Sequence, residues 1–200
     1  MAQRLVIHPT HPEPRKIKMV HDCLVDGGVV VYPTDTVYGL GCDIRQKRAL
    51  EKVYRIKRMS SDHPVAFVCP DLGDIAKYAV VDDPAYRIMR RLLPGPYTFI
   101  LPSTREVPRM VMQPRKTVGI RVPHHEVALA MVRLLGSPIL STSASLGEQQ
   151  NDPDDLVETF KLADIVIDSG FCGLTPTTIV DMTSGSPVIV REGAGPVDVI

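Results

Sequence analysis

YPTDTVYGLGC, residues Tyr32 to Cys42, decides how this chain is read. It follows the apolar run Gly28-Val29-Val30-Val31, which reads as a buried strand feeding a polar, glycine-bearing turn. Thr34, Asp35, Thr36 and Tyr38 put hydroxyls and a carboxylate at the end of that strand, and Gly39 and Gly41 leave bare backbone behind them. Open α/β sheets bind ligands in the crevice beyond their strand ends. The stretch is therefore either the wall of such a crevice or a tight turn whose Thr and Asp side chains bond their own backbone.

Working outward, Arg4 to Ile7 reads as a short first strand. Ile17, Val20, His21, Leu24 and Val25 keep the spacing of an amphipathic helix that Gly27-Gly28 closes. Beyond the opening stretch, KRALEKVYRIK is a second helix with basic residues toward its C-terminal end, where they complement the helix dipole. Val65 to Val68 is a strand, and Asp83-Pro84 opens a helix as N-cap and first residue. Tyr97 to Leu101 and Thr117 to Val122 are strands, and Val127 to Leu135 is a helix ended by Gly136. Ile139-Leu140 leads into STSAS, Asp152-Pro153 opens a last helix, and strands follow at 165–167, 178–180 and 188–190. Helices alternate with strands early and strands run together late, which predicts one α/β domain over residues 1–200 with a twisted mixed sheet flanked by helices.

Composition narrows the function. The chain has 200 residues, 44% of them hydrophobic, with a formal net charge of zero, which suits one folded domain. No apolar run reaches the roughly 20 residues of a membrane span, and the first residues lack the pattern of a signal peptide, so the expectation is a cytoplasmic protein with no membrane partner. Cys23, Cys42, Cys69 and Cys172 are far apart and form no CxxC pair, which predicts reduced, mostly buried thiols and no structural zinc. Basic residues cluster at 55–58, 90–91 and 105–121, a pattern that fits an anionic ligand or a solvated surface.

Several strand ends share hydroxyls, a small residue and a base: PTDT at 33–36, IKRMSSD at 56–62, TVGIR at 117–121, STSAS at 141–145, TPTT at 175–178 and VREG at 190–193. Hydroxyls and backbone N–H groups hold phosphate oxygens, and Arg or Lys neutralises their charge, for about 1.5–3 kcal/mol per charge-assisted bond. Neither GxxxxGK[ST] nor a strand-linked GxGxxG occurs, and the absence of GxSxG leaves a serine hydrolase without support.

PTDTVYGLGC, IKRMSSDHP, LPGPYTFIL, TVGIRVP, STSAS, PTTIVD and VIVREG, in that order and over nearly the whole chain, resemble successive blocks of the YrdC/YciO family, and most closely its YciO branch. The resemblance implies a YrdC/RibB-like fold with a basic concave cavity. It also implies a threonylcarbamoyl-AMP synthase type of chemistry: ATP, L-threonine and bicarbonate give threonylcarbamoyl-AMP and pyrophosphate, the first stage of the N6-threonylcarbamoyl modification of tRNA adenosine. Mg²⁺ would arrive with the nucleotide. Carried over by position, Thr34, Arg121, Ser141 and Thr177 fall on the threonine side. Lys57, Thr117, Ser143 and Arg191 fall on the nucleotide side, and Arg58, His63 and Ser145 are further cavity candidates. Two motifs depart from the family. The arginine of KxR is Met59, and the asparagine of SxN is Ser145; His63 and Val68 stand where synthases commonly carry asparagine and histidine. The departures imply slower or redirected chemistry. An alternative role associated with the family is binding double-stranded RNA or tRNA on the basic cavity.

Overall fold

The computed structural model describes residues 2–60, 63, 65–111 and 115–200. Its strands are β1 (Gln3–Val6), β2 (Val30–Tyr32), β3 (Gly39–Asp43), β4 (Ala66–Val68), β5 (Tyr97–Pro102), β6 (Thr117–Arg121), β7 (Ile139–Ser143), β8 (Ile165–Asp168), β9 (Thr178–Asp181) and β10 (Val188–Arg191). They join into one mixed sheet in the order β1-β8-β2-β3-β7-β4-β6-β5-β9-β10. The helices are α1 (Pro14–Val25), α2 (Lys47–Lys57), α3 (Leu72–Tyr78), α4 (Asp83–Leu92), α5 (Glu126–Leu135) and α6 (Pro153–Thr159). This is the α/β architecture expected. Among the described residues no helix is long and apolar enough to cross a membrane.

The helices divide between the two faces of the sheet. Apolar residues of α1 (Ile17, Val20, Leu24) and α5 (Val127, Met131, Val132) pack with Val30, Tyr32, Ile139 and Ile165 on one face. Those of α2 (Leu50, Val53, Ile56), α3 (Ile75, Tyr78), α4 (Ala85, Met89) and α6 (Leu156) pack with Val31, Leu40, Phe67 and Phe99 on the other. The α1/α5 pair covers only its own end of the sheet, and the uncovered part of that face becomes the cavity described below.

Residues paired across neighbouring strands point to the same face, so the register exposes two contrasting rows. Cys42, Leu140, Phe67, Ile120, Phe99 and Val180 run side by side across six strands, all buried against the four-helix face. One residue along, Gly41, Ser141, Ala66, Gly119, Ile100 and Asp181 form a parallel row on the opposite face. The first row is bulky and apolar. The second is mostly small, and it forms a trough.

Three elements differ from the sequence expectation. Gly39–Asp43, read above as part of a turn, is the strand β3, paired with both β2 and β7. Helix α3 was not anticipated; Asp71 caps it by accepting from Gly73 N and Asp74 N. The N-cap of α4 is Asp82, not Asp83, since its carboxylate accepts from Ala85 N at 2.9 Å. At the sheet edge, β10 exposes Val188 (52%) and Val190 (56%), directly after Pro187. Cys42 and Cys69 are buried, Cys23 and Cys172 are half-buried, and all four are free thiols.

Candidate active site

The turn after β2 is built around an arginine from β6. Arg121 reaches it because β4 and β6 run parallel and place Arg121 beside Val68, under the 34–36 turn. One guanidinium nitrogen, Nη2, donates to Thr34 Oγ1 (3.0 Å), Asp35 Oδ1 (2.7 Å) and Thr36 Oγ1 (2.7 Å). The Arg121–Asp35 ion pair is largely withdrawn from water, with side-chain exposures of 10% and 12%. Arg121 Nε and Asp35 Oδ2 are buried and have no hydrogen-bond partner among the described residues.

Thr34 belongs to the scaffold of this turn. Its hydroxyl donates to Val37 O at 2.6 Å and accepts from Thr36 N at 3.1 Å, and the residue is 2% exposed. It stands behind the cavity wall, whereas Arg121 is part of that wall. Both readings of the opening stretch therefore meet here: the turn bonds its own backbone, and in doing so it grips a cavity arginine.

The cavity encloses about 690 Å³ over the trough. Of the residues singled out in the sequence, Thr117, Arg121, Ser141, Ser143, Thr177, Arg191 and His63 line it. Arg115, from the basic 105–121 cluster, also lines it, as do Gln149, Asp181 and Thr183, which sequence reasoning missed. Arg191 is turned onto the cavity by a β-bulge between Ile189 and Arg191, a device that re-aims a side chain at a sheet edge. Its guanidinium donates to Thr177 O through Nε (3.2 Å) and Nη2 (2.8 Å). Thr177 Oγ1 in turn shares a 2.9 Å hydrogen bond with Thr98 Oγ1. Burial alone lowers the pKa of Arg191, and no carboxylate among the described residues pairs with it.

Lys57, Arg58 and Ser145 line an adjoining pocket of about 460 Å³, with Met59, Leu146, Gly147 and the shared His63. Ser61 and Asp62 of the same loop lie outside the described residues. The Lys57 ammonium donates to the carbonyls of Ser143 (2.8 Å) and Ser145, tying the end of α2 to STSAS, and burial lowers its pKa. Arg58 ends α2 in the left-handed region (φ 52°), and its side chain is exposed. The Ser145 hydroxyl meets Ser143 Oγ at 3.3 Å.

A family model for Sua5, YciO and YrdC proteins, described as "Telomere recombination", matches residues 22–193. The chain belongs to the Sua5/YciO/YrdC family. Within it, the chain is 43% identical to YciO of Escherichia coli (strain K12) over 98% of both chains. The crystal structure of that protein superposes on all of this chain with a TM-score of 0.95. A threonylcarbamoyl-AMP synthase of Xanthomonas oryzae pv. oryzae (strain PXO99A) is 37% identical over 84% of this chain and 93% of its own. The Pyrococcus abyssi Sua5 structure complexed with L-threonine is 27% identical, with a TM-score of 0.91 over 98% of this chain. This chain spans 58% of that longer Sua5 protein.

Proposed function

We propose that this protein is a YciO-type, threonylcarbamoyl-AMP-synthase-like enzyme that binds L-threonine and ATP in the trough. The observation that carries the reading is the Arg121 guanidinium: fixed by Thr34, Asp35 and Thr36 in the wall of a cavity that Ser141 and Ser143 also line. A planar guanidinium held in a low-dielectric wall suits a carboxylate. In this reading Arg121 binds the threonine carboxylate, and Thr34 acts by orienting Arg121. The relative crystallised with L-threonine and the relative named as a synthase both support the assignment.

On the nucleotide side, Arg191, Thr117 and Ser143 would meet phosphate and ribose oxygens, with Lys57 behind them. The threonine amine adds to bicarbonate with loss of water, giving a carbamate. One carbamate oxygen then attacks the α-phosphorus, and the bond to the bridging oxygen breaks to release pyrophosphate. The protein's contribution is positioning and neutralisation of phosphate charge. Mg²⁺ would arrive with the nucleotide and neutralise its phosphates.

Met59 and Ser145 set the expected rate. Losing one transition-state phosphate contact costs about two to three orders of magnitude, and neither the Met59 thioether nor the short Ser145 hydroxyl replaces an arginine or an amide. Purified protein incubated with ATP, L-threonine and bicarbonate should form threonylcarbamoyl-AMP slowly, and Met59→Arg with Ser145→Asn should raise that rate roughly a hundredfold or more. No product above the enzyme-free background from either protein would remove the synthase reading. Nothing in the described wall favours the double-stranded RNA or tRNA reading over it.

A further inference from the structure

Tyr32 is fully buried in the α1/α5 core, yet its hydroxyl meets Ser141, which lines the cavity. The ring leaves β2, crosses β3 over two glycines, and meets Ser141 Oγ on β7 at 2.5 Å. A Cβ on Gly39 would stand 2.7 Å from Tyr32 Cζ, and one on Gly41 would stand 3.2 Å from Cε1. The spacing of Gly39 and Gly41 thus clears a path two residues long for the ring, on the same face as Ser141.

Among the described residues, Ser141 is the partner of the Tyr32 hydroxyl, and Tyr32 is the partner of the Ser141 hydroxyl. Burial raises the Tyr32 pKa, so the phenol keeps its proton. A buried O–H with one oxygen in reach donates to it, because leaving the donor unused costs about 1–3 kcal/mol. Ser141 Oγ then accepts from Tyr32, and the hydrogen of Ser141 is left to turn into the cavity that Ser141 lines. A lone serine can donate or accept. This one is made a donor.

We propose that Tyr32 is a positioning residue that fixes Ser141 as a hydrogen-bond donor, so that the trough floor selects an acceptor oxygen of its ligand, either a carboxylate or a phosphate. The inference rests on the reading of the cavity as a ligand site.

The test is a double-variant cycle. Wild type, Tyr32→Phe, Ser141→Ala and the combined variant are titrated calorimetrically with L-threonine and, separately, with AMP. Each single variant should weaken one of these ligands roughly five- to thirtyfold, and the combined variant should bind it as Ser141→Ala does, within about twofold. The ligand that responds tells whether the oxygen belongs to the carboxylate or to the phosphate. Additive losses, or Tyr32→Phe binding as wild type does, overturn the proposal. A merely structural role would lower the melting temperature, but its effect would persist on the Ser141→Ala background. If wild type binds neither ligand, the functional reading falls instead, and the positioning is read in the free protein by carbon-13 NMR of labelled tyrosine. Paired Tyr32 Cζ signals in mixed water and deuterium oxide, marking a slowly exchanging hydroxyl, should collapse in Ser141→Ala. A single fast-exchanging signal in wild type overturns the proposal.

Discussion

Two adjacent rows of the same six strands do opposite work. The row Cys42-Leu140-Phe67-Ile120-Phe99-Val180 is filled and dry, while the row Gly41-Ser141-Ala66-Gly119-Ile100-Asp181 lies on the other face, and five of its six residues line the cavity. Because side chains alternate along a strand, a shift of one residue separates the core from the site. Stability is thereby concentrated on one face, which leaves the other free to be small, polar and concave.

The largest effect expected from breaking this division lies on the filled row. Phe99 has no exposed surface, and Phe99→Ala should cost about 3–5 kcal/mol in urea denaturation, the range for deleting a buried aromatic ring. A loss below about 1 kcal/mol would show that the filled row does not anchor the sheet. On the trough row, Ala66→Leu should act in the opposite manner. Its side chain would enter the cavity rather than the core, so the unfolding free energy from urea denaturation should change by less than about 1 kcal/mol. Binding of L-threonine or AMP should fall about tenfold or more, since one misplaced branched side chain occupies ligand volume. Equal binding by Ala66→Leu would move the ligand site off the trough.

The smallest effect concerns acid. His125, just before α5, is half-buried, its Nδ1 has no hydrogen-bond partner among the described residues, and burial lowers its pKa from the ordinary value near 6.5. Asp35 faces it and opposes that shift, as does Glu126, while Arg121 and His124 add to it. A base with a depressed folded pKa takes up protons first in the unfolded chain. Its neutral form therefore imposes no penalty above pH 6.5, and stability is lost as pH falls below that value toward the folded pKa. The urea midpoint of wild type should drop more between pH 7 and 5 than that of His125→Gln. Equal slopes would separate His125 from the acid response of the cavity face.

Much of the fold was legible because apolar periodicity records burial. The helices of Ile17–Val25 and Val127–Leu135 and the strand Tyr97–Leu101 announce themselves by spacing or propensity. Strand β3 did not, because GLGCD carries glycines where Tyr32 must pass, and a residue without a side chain leaves no β-propensity to read. Helix α3 is short, and its start depends on one Asp71 carboxylate. At the site, strand-end hydroxyls and bases were visible as local clusters. Their mutual geometry was not. Asp35, Thr36 and Tyr32 act on partners more than 80 residues away in the chain, and only the sheet order brings those together. The same order sends Lys57 to a neighbouring pocket and Arg121 to the main one.

Strand β10 gives the cavity one further property. It is an edge strand, bonded on one side only to β9, with all four residues exposed, and Arg191 of the cavity wall is mounted on it. The opposite wall rests on β3 and β7, which are paired on both sides. Edge strands fray at lower free energy than central ones, so one jaw of this vice is bolted down and the other sits on a spring. Pro187, immediately before this strand, has no amide hydrogen to offer a passing chain.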